Sequence, residues 1–160
     1  MDSTKFEDVK DICCNYKTAK RAYGYLKTNK NSIVQNENHF INSFASKQSI
    51  FSNLDDLSKW NSGLYSNKLL SDSSICEIIH PHIKISRFSK SYYGYGWAIV
   101  QTKWNTQINH HSGDWLGFKT YIMRDTENKD CIVLLTNNSL SNVRLSMTGF
   151  KLTEILNKQQ

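Results

Sequence analysis

No apolar run in the sequence approaches the roughly 20 residues that a membrane-spanning helix requires, so no membrane span is expected. The opening residues, Met1-Asp2-Ser3-Thr4-Lys5-Phe6-Glu7-Asp8, lack the apolar stretch of a secretion signal, and the chain as written is expected in the cytoplasm. The four cysteines, at 13, 14, 76 and 131, form no C-x-x-C pair and have no metal-finger spacing to the histidines at 39, 80, 82, 110 and 111. That spacing argues against a zinc site, and neither a metal nor a cofactor is expected. Adjacent Cys13 and Cys14 cannot readily pair with each other, and Cys131 opens an apolar run where a free thiol acts as a small hydrophobe; a reducing compartment is the simpler assumption. A basic stripe is missing too, because the formal charge of +6 is spread along the whole chain. The tightest basic stretch, Lys84 to Lys90 with Arg87, is interrupted by Ile85 and Phe88 and reads as a solvated loop with apolar anchors, so no nucleic-acid partner is expected.

What is present fits one folded domain. With 39% hydrophobic and 21% charged residues, the 160-residue chain lies far from the disordered class and is long enough to bury a core. Residues 1–48 are rich in Lys and Asn and read as loop-rich, apart from Ala22-Tyr23-Gly24-Tyr25-Leu26 and a short run near Phe40 to Ala45. The remaining elements fall within residues 50–157. A capping Ser52, acids at Asp55 and Asp56, and Leu54, Leu57, Trp60 and Leu64 on one face predict a helix at about 54–66. A second start at Ser71-Asp72 precedes Ile75, Ile78 and Ile79 and is stopped by Pro81, the only proline.

The period then becomes two. Tyr92 to Val100 reads as one strand, with Tyr93, Tyr95, Trp97 and Ile99 on one face and Gly94, Gly96 and Ala98 on a nearly bare one that another element can approach. Further strands are expected at about 106–112, 117–124 and 130–136, with a hairpin turn over Asp125 to Lys129. Ile132-Val133-Leu134-Leu135 is continuously apolar, so that strand should be covered on both faces. A final helix at about 141–157 offers Val143, Met147, Leu152, Ile155 and Leu156 as one cover, with Gly149 weakening it locally. The order of elements predicts an α+β fold: an antiparallel sheet of about four strands with helices packed against it.

Five segments in sequence carry a resemblance: Ala22-Tyr23-Gly24-Tyr25; Ile50 to Trp60; Tyr93-Gly94-Tyr95-Gly96-Trp97; His111-Ser112-Gly113-x-x-x-Gly117-Phe118; and Val133-Leu134-Leu135-Thr136-Asn137. Together they resemble the C-terminal portion of the β-lactamase-related serine hydrolases, which include class C β-lactamases, D-Ala-D-Ala carboxypeptidases and esterases. The resemblance implies a partial β-lactamase/transpeptidase-like fold. It also implies an acyl-transfer site built from a Ser-x-x-Lys helix start, a Tyr-x-Asn loop and a strand triad of Lys/His, Thr/Ser and Gly. Of these, the triad is matched, by His111, Ser112 and Gly113, and the following position, whose backbone N–H serves the oxyanion hole, falls on Asp114. An aspartate there puts negative charge beside a developing oxyanion.

The nucleophile motif is absent, because no lysine in the sequence has a serine three residues before it. Tyr65-Ser66-Asn67 spells the second motif but follows the Trp60 segment, out of the family's order, and Gln48-Ser49 stands where the family has Gly-Gly. The main expectation is therefore a remnant site edge at His111, Ser112, Gly113 and Asp114 in a chain inactive alone. The alternative is a binding or complementing module that self-associates or docks on a nucleophile-bearing partner chain. A small enzyme using His111 with Asp114 or Cys131 is a third reading. His111 either lines the site or hydrogen-bonds locally, while His110 points to the opposite face as a structural residue. Tyr93, Tyr95 and Trp97 form either a recognition surface or a packed face, and Trp115 either overhangs the site or packs. Trp60 reads as a helix anchor, and Trp104 as an exposed residue of a hairpin turn. The resembled family commonly works outside the cytoplasm.

Overall fold

The computed structural model describes residues 5–6, 22–28, 32–36, 50–103, 105–138 and 142–157. Cys13, Cys14, the run from Phe40 to Ala45, and Trp104 lie outside the described residues. Within the first 48 residues, three short strands are described: β1 (Lys5–Phe6), β2 (Tyr25–Lys27) and β3 (Ile33–Gln35). β2 and β3 pair as an antiparallel ribbon, and β1 pairs with β4 (Ile50–Phe51).

Two helices follow. α1 spans Leu54–Leu64 and is capped by Asn53, whose Oδ1 accepts the Asp56 N–H at 2.9 Å. The cap is thus one residue later than the expected Ser52, because the asparagine reaches the third amide of the helix directly. Leu64 is buried and Trp60 stacks on Trp97 with centroids 6.3 Å apart, which makes Trp60 the anchor of this helix; Leu54 stays exposed. α2 spans Asp72–Ile78, starts at Ser71, whose Oγ accepts the Ser74 N–H, and ends ahead of Pro81.

The main sheet is a six-stranded antiparallel meander in sequence order: β5 (Ile83–Lys84), β6 (Ser91–Tyr93), β7 (Ala98–Gln101), β8 (Gln107–Trp115), β9 (Phe118–Asp125) and β10 (Asp130–Thr136). Six strands replace the expected four, partly because Tyr92 to Val100 is not one strand. It folds back on itself: the Gly94 N–H donates to Trp97 O at 2.8 Å and Gly96 takes φ +77°, a conformation that ends the alternation. The expected close approach does occur at Gly94, where a Cβ would collide with Ile78 O at the end of α2. Tyr95, read as part of a continuous face, is 63% exposed.

The hairpin between β9 and β10 is built as its sequence suggests. Asp125 Oδ1 accepts the N–H groups of Glu127 and Asn128, and Lys129 closes the turn at φ 61°. β10 has α3 (Asn142–Asn157) on one side and α1 on the other, although its apolar side chains are half-buried and Leu135 is exposed.

The core lies between the sheet and α3: Ile108, Tyr121, Met123 and Leu145 are buried, with Ile132, Leu134 and Phe150 packed on them. Full burial of such side chains contributes about 1.5–3 kcal/mol each. α3 reaches this core on a different stripe from the one expected. Leu145, Gly149 and Thr153, four residues apart, face the sheet, while Met147, Leu152 and Ile155 face outward; the side chain of Val143 is not described. The reason is Gly149, where the Tyr121 ring comes so near that an added Cβ would lie 2.5 Å from Cε1. The glycine that weakens the helix is the one that lets it close on the sheet.

Helix propensity favours Gly149→Ala by about 1 kcal/mol, whereas forcing a methyl into the Tyr121 contact costs about 1–3 kcal/mol. Urea denaturation is expected to show a net loss of about 1 kcal/mol; a gain of similar size would show that the Tyr121 contact does not constrain the helix.

Candidate functional site

The expected site edge lies on one strand. His111, Ser112, Gly113 and Asp114 occupy the second half of β8, in register with Ile122, Tyr121, Thr120 and Lys119 of β9. Pairing of β8 with β7 stops at His110, while pairing with β9 continues to Trp115. From His111 onward, therefore, the β7 side of β8 has no strand neighbour among the described residues. His111, Ser112 and Asp114 are exposed there and Gly113 is half-buried, with Thr120 Oγ1 close against its Cα.

Successive side chains on a strand alternate between faces, so His111 and Ser112 diverge instead of converging as a base and nucleophile. His111 Nε2 is engaged instead by the Tyr93 hydroxyl at 3.1 Å. Tyr93 was legible only as part of an aromatic pattern, which did not foreshadow the contact of its hydroxyl with His111. Asp114 forms an ion pair with Lys119 directly across the hairpin, and this salt bridge offsets the negative charge next to Gly113. Lys119 was also missed, although its mirror position about the turn marks it as Asp114's partner. Trp115 pairs in register with Phe118 at the hairpin end and is half-buried.

The hairpin end is held from below. Leu116 (φ 42°) and Gly117 (φ +82°) form a two-residue turn with both residues left-handed, the geometry that matches strand twist. A Cβ on Gly24 would collide with the Leu116 carbonyl, so the turn rests on bare backbone there. Phe51 meets Phe118 edge-on at 5.9 Å, and Asn137 ties in the same segment by donating from Nδ2 to Tyr23 O and accepting the Tyr25 N–H. Tyr65, Ser66 and Asn67 serve the end of α1: Tyr65 lies 4.8 Å under the Arg124 guanidinium, Ser66 Oγ donates to Gly63 O, and Asn67 Nδ2 donates to Asp72 Oδ2.

His110, next to His111, packs between Tyr121 and Phe150 on the α3 face, as expected of a structural residue. Burial there, with the neighbouring His111, holds its pKa below the ordinary value. Cys131 is a free thiol that burial pushes up, the wrong direction for a nucleophile, and the nearby Arg124 offsets this only in part. Among the described residues, no group of three or more His, Cys, Asp or Glu is placed to hold a metal ion, and no helix is long and apolar enough to cross a membrane.

A family model described as Beta-lactamase matches residues 1–152. A penicillin-binding protein of Bacillus subtilis (strain 168) is 26% identical over 82 residues, covering 51% of this chain and 18% of that protein. Among solved structures, the fold is similar to that of a penicillin-binding protein from Bacillus halodurans, with TM-score 0.73, 19% identity, and coverage of 93% of this chain and 44% of that one. It is also similar to an octameric penicillin-binding protein homologue from Pyrococcus abyssi, with TM-score 0.77, 21% identity, and coverage of 94% and 33%. The chain thus spans less than half the length of each of these proteins.

Since burial holds the pKa of His110 below its ordinary value in the fold, the unfolded chain takes up the proton first as pH falls through the ordinary value of 6.5. Stability contributed by this residue is present above that pH and declines below it. Denaturant midpoints measured from pH 7.5 to 5 are expected to fall less steeply in His110→Phe than in the unaltered chain. An equal slope would mean that His110 titrates alike in both states.

Proposed function

Because the chain belongs to the Beta-lactamase family, we propose that it supplies the sheet side of a serine-hydrolase site and does not hydrolyse substrate by itself. The observation that carries this reading is the open stretch of β8, with His111, Ser112 and Gly113 presented where β7 pairing has ended, in a sequence with no Ser-x-x-Lys. An acyl-transfer nucleophile needs a base within hydrogen-bond reach and donors aimed at the oxyanion. The strand can line such a site: its free edge can hold a peptide-like acyl group by backbone hydrogen bonds, Gly113 lets Thr120 Oγ1 sit close against the strand, and the Tyr93–His111 pair can orient a proton network. None of these groups is an activated nucleophile.

A second reading has its own observation. β10 ends the sheet with one strand neighbour among the described residues, and Met147, Leu152 and Ile155 are 55%, 37% and 53% exposed on the outward side of α3. Edges and apolar faces of this kind favour association. On this reading the chain acts as a complementing module: a second chain or a further copy covers that face, and a nucleophile-bearing partner completes the site.

Intact-mass analysis after incubation with a fluorophosphonate, and absorbance with a chromogenic cephalosporin, test the first reading. An unmodified mass and no colour are expected; one stoichiometric serine adduct would overturn it. Light scattering on the same preparation tests the second. Concentration-dependent self-association or binding of an apolar dye is expected, and a stable monomer that binds no dye would remove its basis.

A further inference from the structure

At one edge of the main sheet, β5 has β6 as its one strand neighbour among the described residues, and the hairpin that joins them runs from Ile83 to Ser91. Its sequence, Ile-Lys-Ile-Ser-Arg-Phe-Ser-Lys-Ser, holds three cations, three large apolar side chains and no acid. The apolar residues read from the sequence as anchors do not anchor the loop: Ile83 is 66% exposed, Ile85 55% and Phe88 99%. Single exposed apolar side chains are ordinary on a protein surface, but three in one hairpin, with a fully exposed phenyl ring among them, mark a surface that meets a partner.

The tip is built from within. Ile85 N–H donates to Ser91 O at 2.9 Å, Phe88 N–H to Ser86 Oγ at 3.2 Å and Ser89 Oγ to Ser91 Oγ at 2.9 Å, while Lys90 O accepts the Gln101 N–H at 3.4 Å. Amides and hydroxyls already paired in this way cost less to move into a less polar medium. Lys84, Arg87 and Lys90 are all exposed, and no ion pair engages them among the described residues. Acids elsewhere do not neutralise them: Glu77 faces His82, Glu154 is paired with Lys103, and Glu127 lies in the β9–β10 turn at the opposite edge of the sheet.

A partner must therefore take both cations and apolar groups from one projecting tip. Lysine is depleted in the cores of protein interfaces, and a nucleic acid would use the cations without offering Ile83 and Ile85 an apolar medium. An anionic lipid surface offers both. We propose that the β5–β6 hairpin docks the chain on a membrane surface rich in anionic lipid, with Phe88 entering the boundary between headgroups and acyl chains. Lys84, Arg87 and Lys90 then stay at the level of the lipid phosphates, their stems along the apolar layer. One aromatic residue or three cations alone bind weakly, and the two together give reversible docking. The tip lies at the end of the sheet opposite the Leu116–Gly117 turn, so docking leaves the open half of β8 directed away from the lipid. The proposal does not depend on whether the chain takes part in hydrolysis.

Co-sedimentation of the full chain with phosphatidylcholine vesicles containing about one-third phosphatidylserine, and with phosphatidylcholine alone, tests it. Binding to the anionic vesicles is expected, at least about tenfold weaker on the neutral ones, and reduced as salt rises from about 0.1 M to about 0.5 M. Phe88→Ser is expected to weaken it at least about fivefold. Replacing Lys84, Arg87 and Lys90 together by Gln is expected to weaken it at least about tenfold, since each cation near such a surface is worth about fivefold. All four side chains are exposed, so these variants are expected to keep the circular dichroism of the unaltered chain. No binding to anionic vesicles, equal binding to neutral ones, or binding that survives the triple replacement would overturn the proposal. Binding that survives Phe88→Ser unchanged would do so too, because it marks a purely ionic contact of the kind an acidic protein or a nucleic acid makes.

Discussion

The close approach between the Leu116–Gly117 turn and the backbone of Gly24 and Tyr25 is the constraint on which the arrangement of this chain depends. Two stretches about 90 residues apart in sequence meet there without side chains between them, a contact that a residue with a Cβ at position 24 would block. Around it gather the other short segments shared with the family: Phe51 on Phe118, and Asn137 on Tyr23 and Tyr25. Trp60 on Trp97 is a second junction of the same kind. Several of the segments that carry the resemblance therefore meet in packing contacts, which position the open half of β8.

The two faces of the sheet divide the remaining work. Against α3, Ile108, Tyr121, Met123 and Leu145 are buried, and burial lowers the pKa of the neighbouring His110. Against α1 and α2 it is mixed: Leu64 and Ile99 are buried beside the polar Asn61, Asn109 and Arg124, and Gln107 crosses from β8 to Ile79 O at the end of α2. Buried polar groups of this type are costly unless satisfied, and the Asn61–Arg124 bond together with the flanking rings meets only part of that need. Each face nevertheless keeps a buried polar atom without a partner among the described residues, the Tyr121 hydroxyl on the α3 side and Asn109 Nδ2 on the other.

Much of this was legible in the sequence, and the failures have physical causes. The helices near 54 and 72, strands β8 to β10 and the Asp125 turn follow from caps, period and turn residues. The run from Tyr92 to Val100 was misleading because alternation cannot tell one long strand from two short ones joined at Gly96, whose left-handed φ leaves no mark beyond the glycine itself. The α3 stripe was misassigned because hydrophobicity pointed to Met147 and Ile155, while the facing ring of Tyr121 selected the smallest residue, Gly149. At the candidate site, the motif pointed to His111, Ser112, Gly113 and Asp114, whereas the contacts of the Tyr93 hydroxyl and Lys119 depend on strand register. Arg124 on a strand gave no sign of burial, because its neighbours Asn61, Tyr65 and Trp97 come from distant segments.

Amide hydrogen exchange on the unaltered chain and on Gly24→Ala tests the central claim most directly, that the landmark segments form one packed set around the Leu116–Gly117 turn. The account predicts lost protection at Tyr25 and Asn36, whose N–H groups donate to Asn137 O and Gly24 O, and fraying at Trp115 and Phe118, with Tyr121 to Met123 still protected. Unchanged protection at Tyr25 and Asn36 in the variant would contradict it.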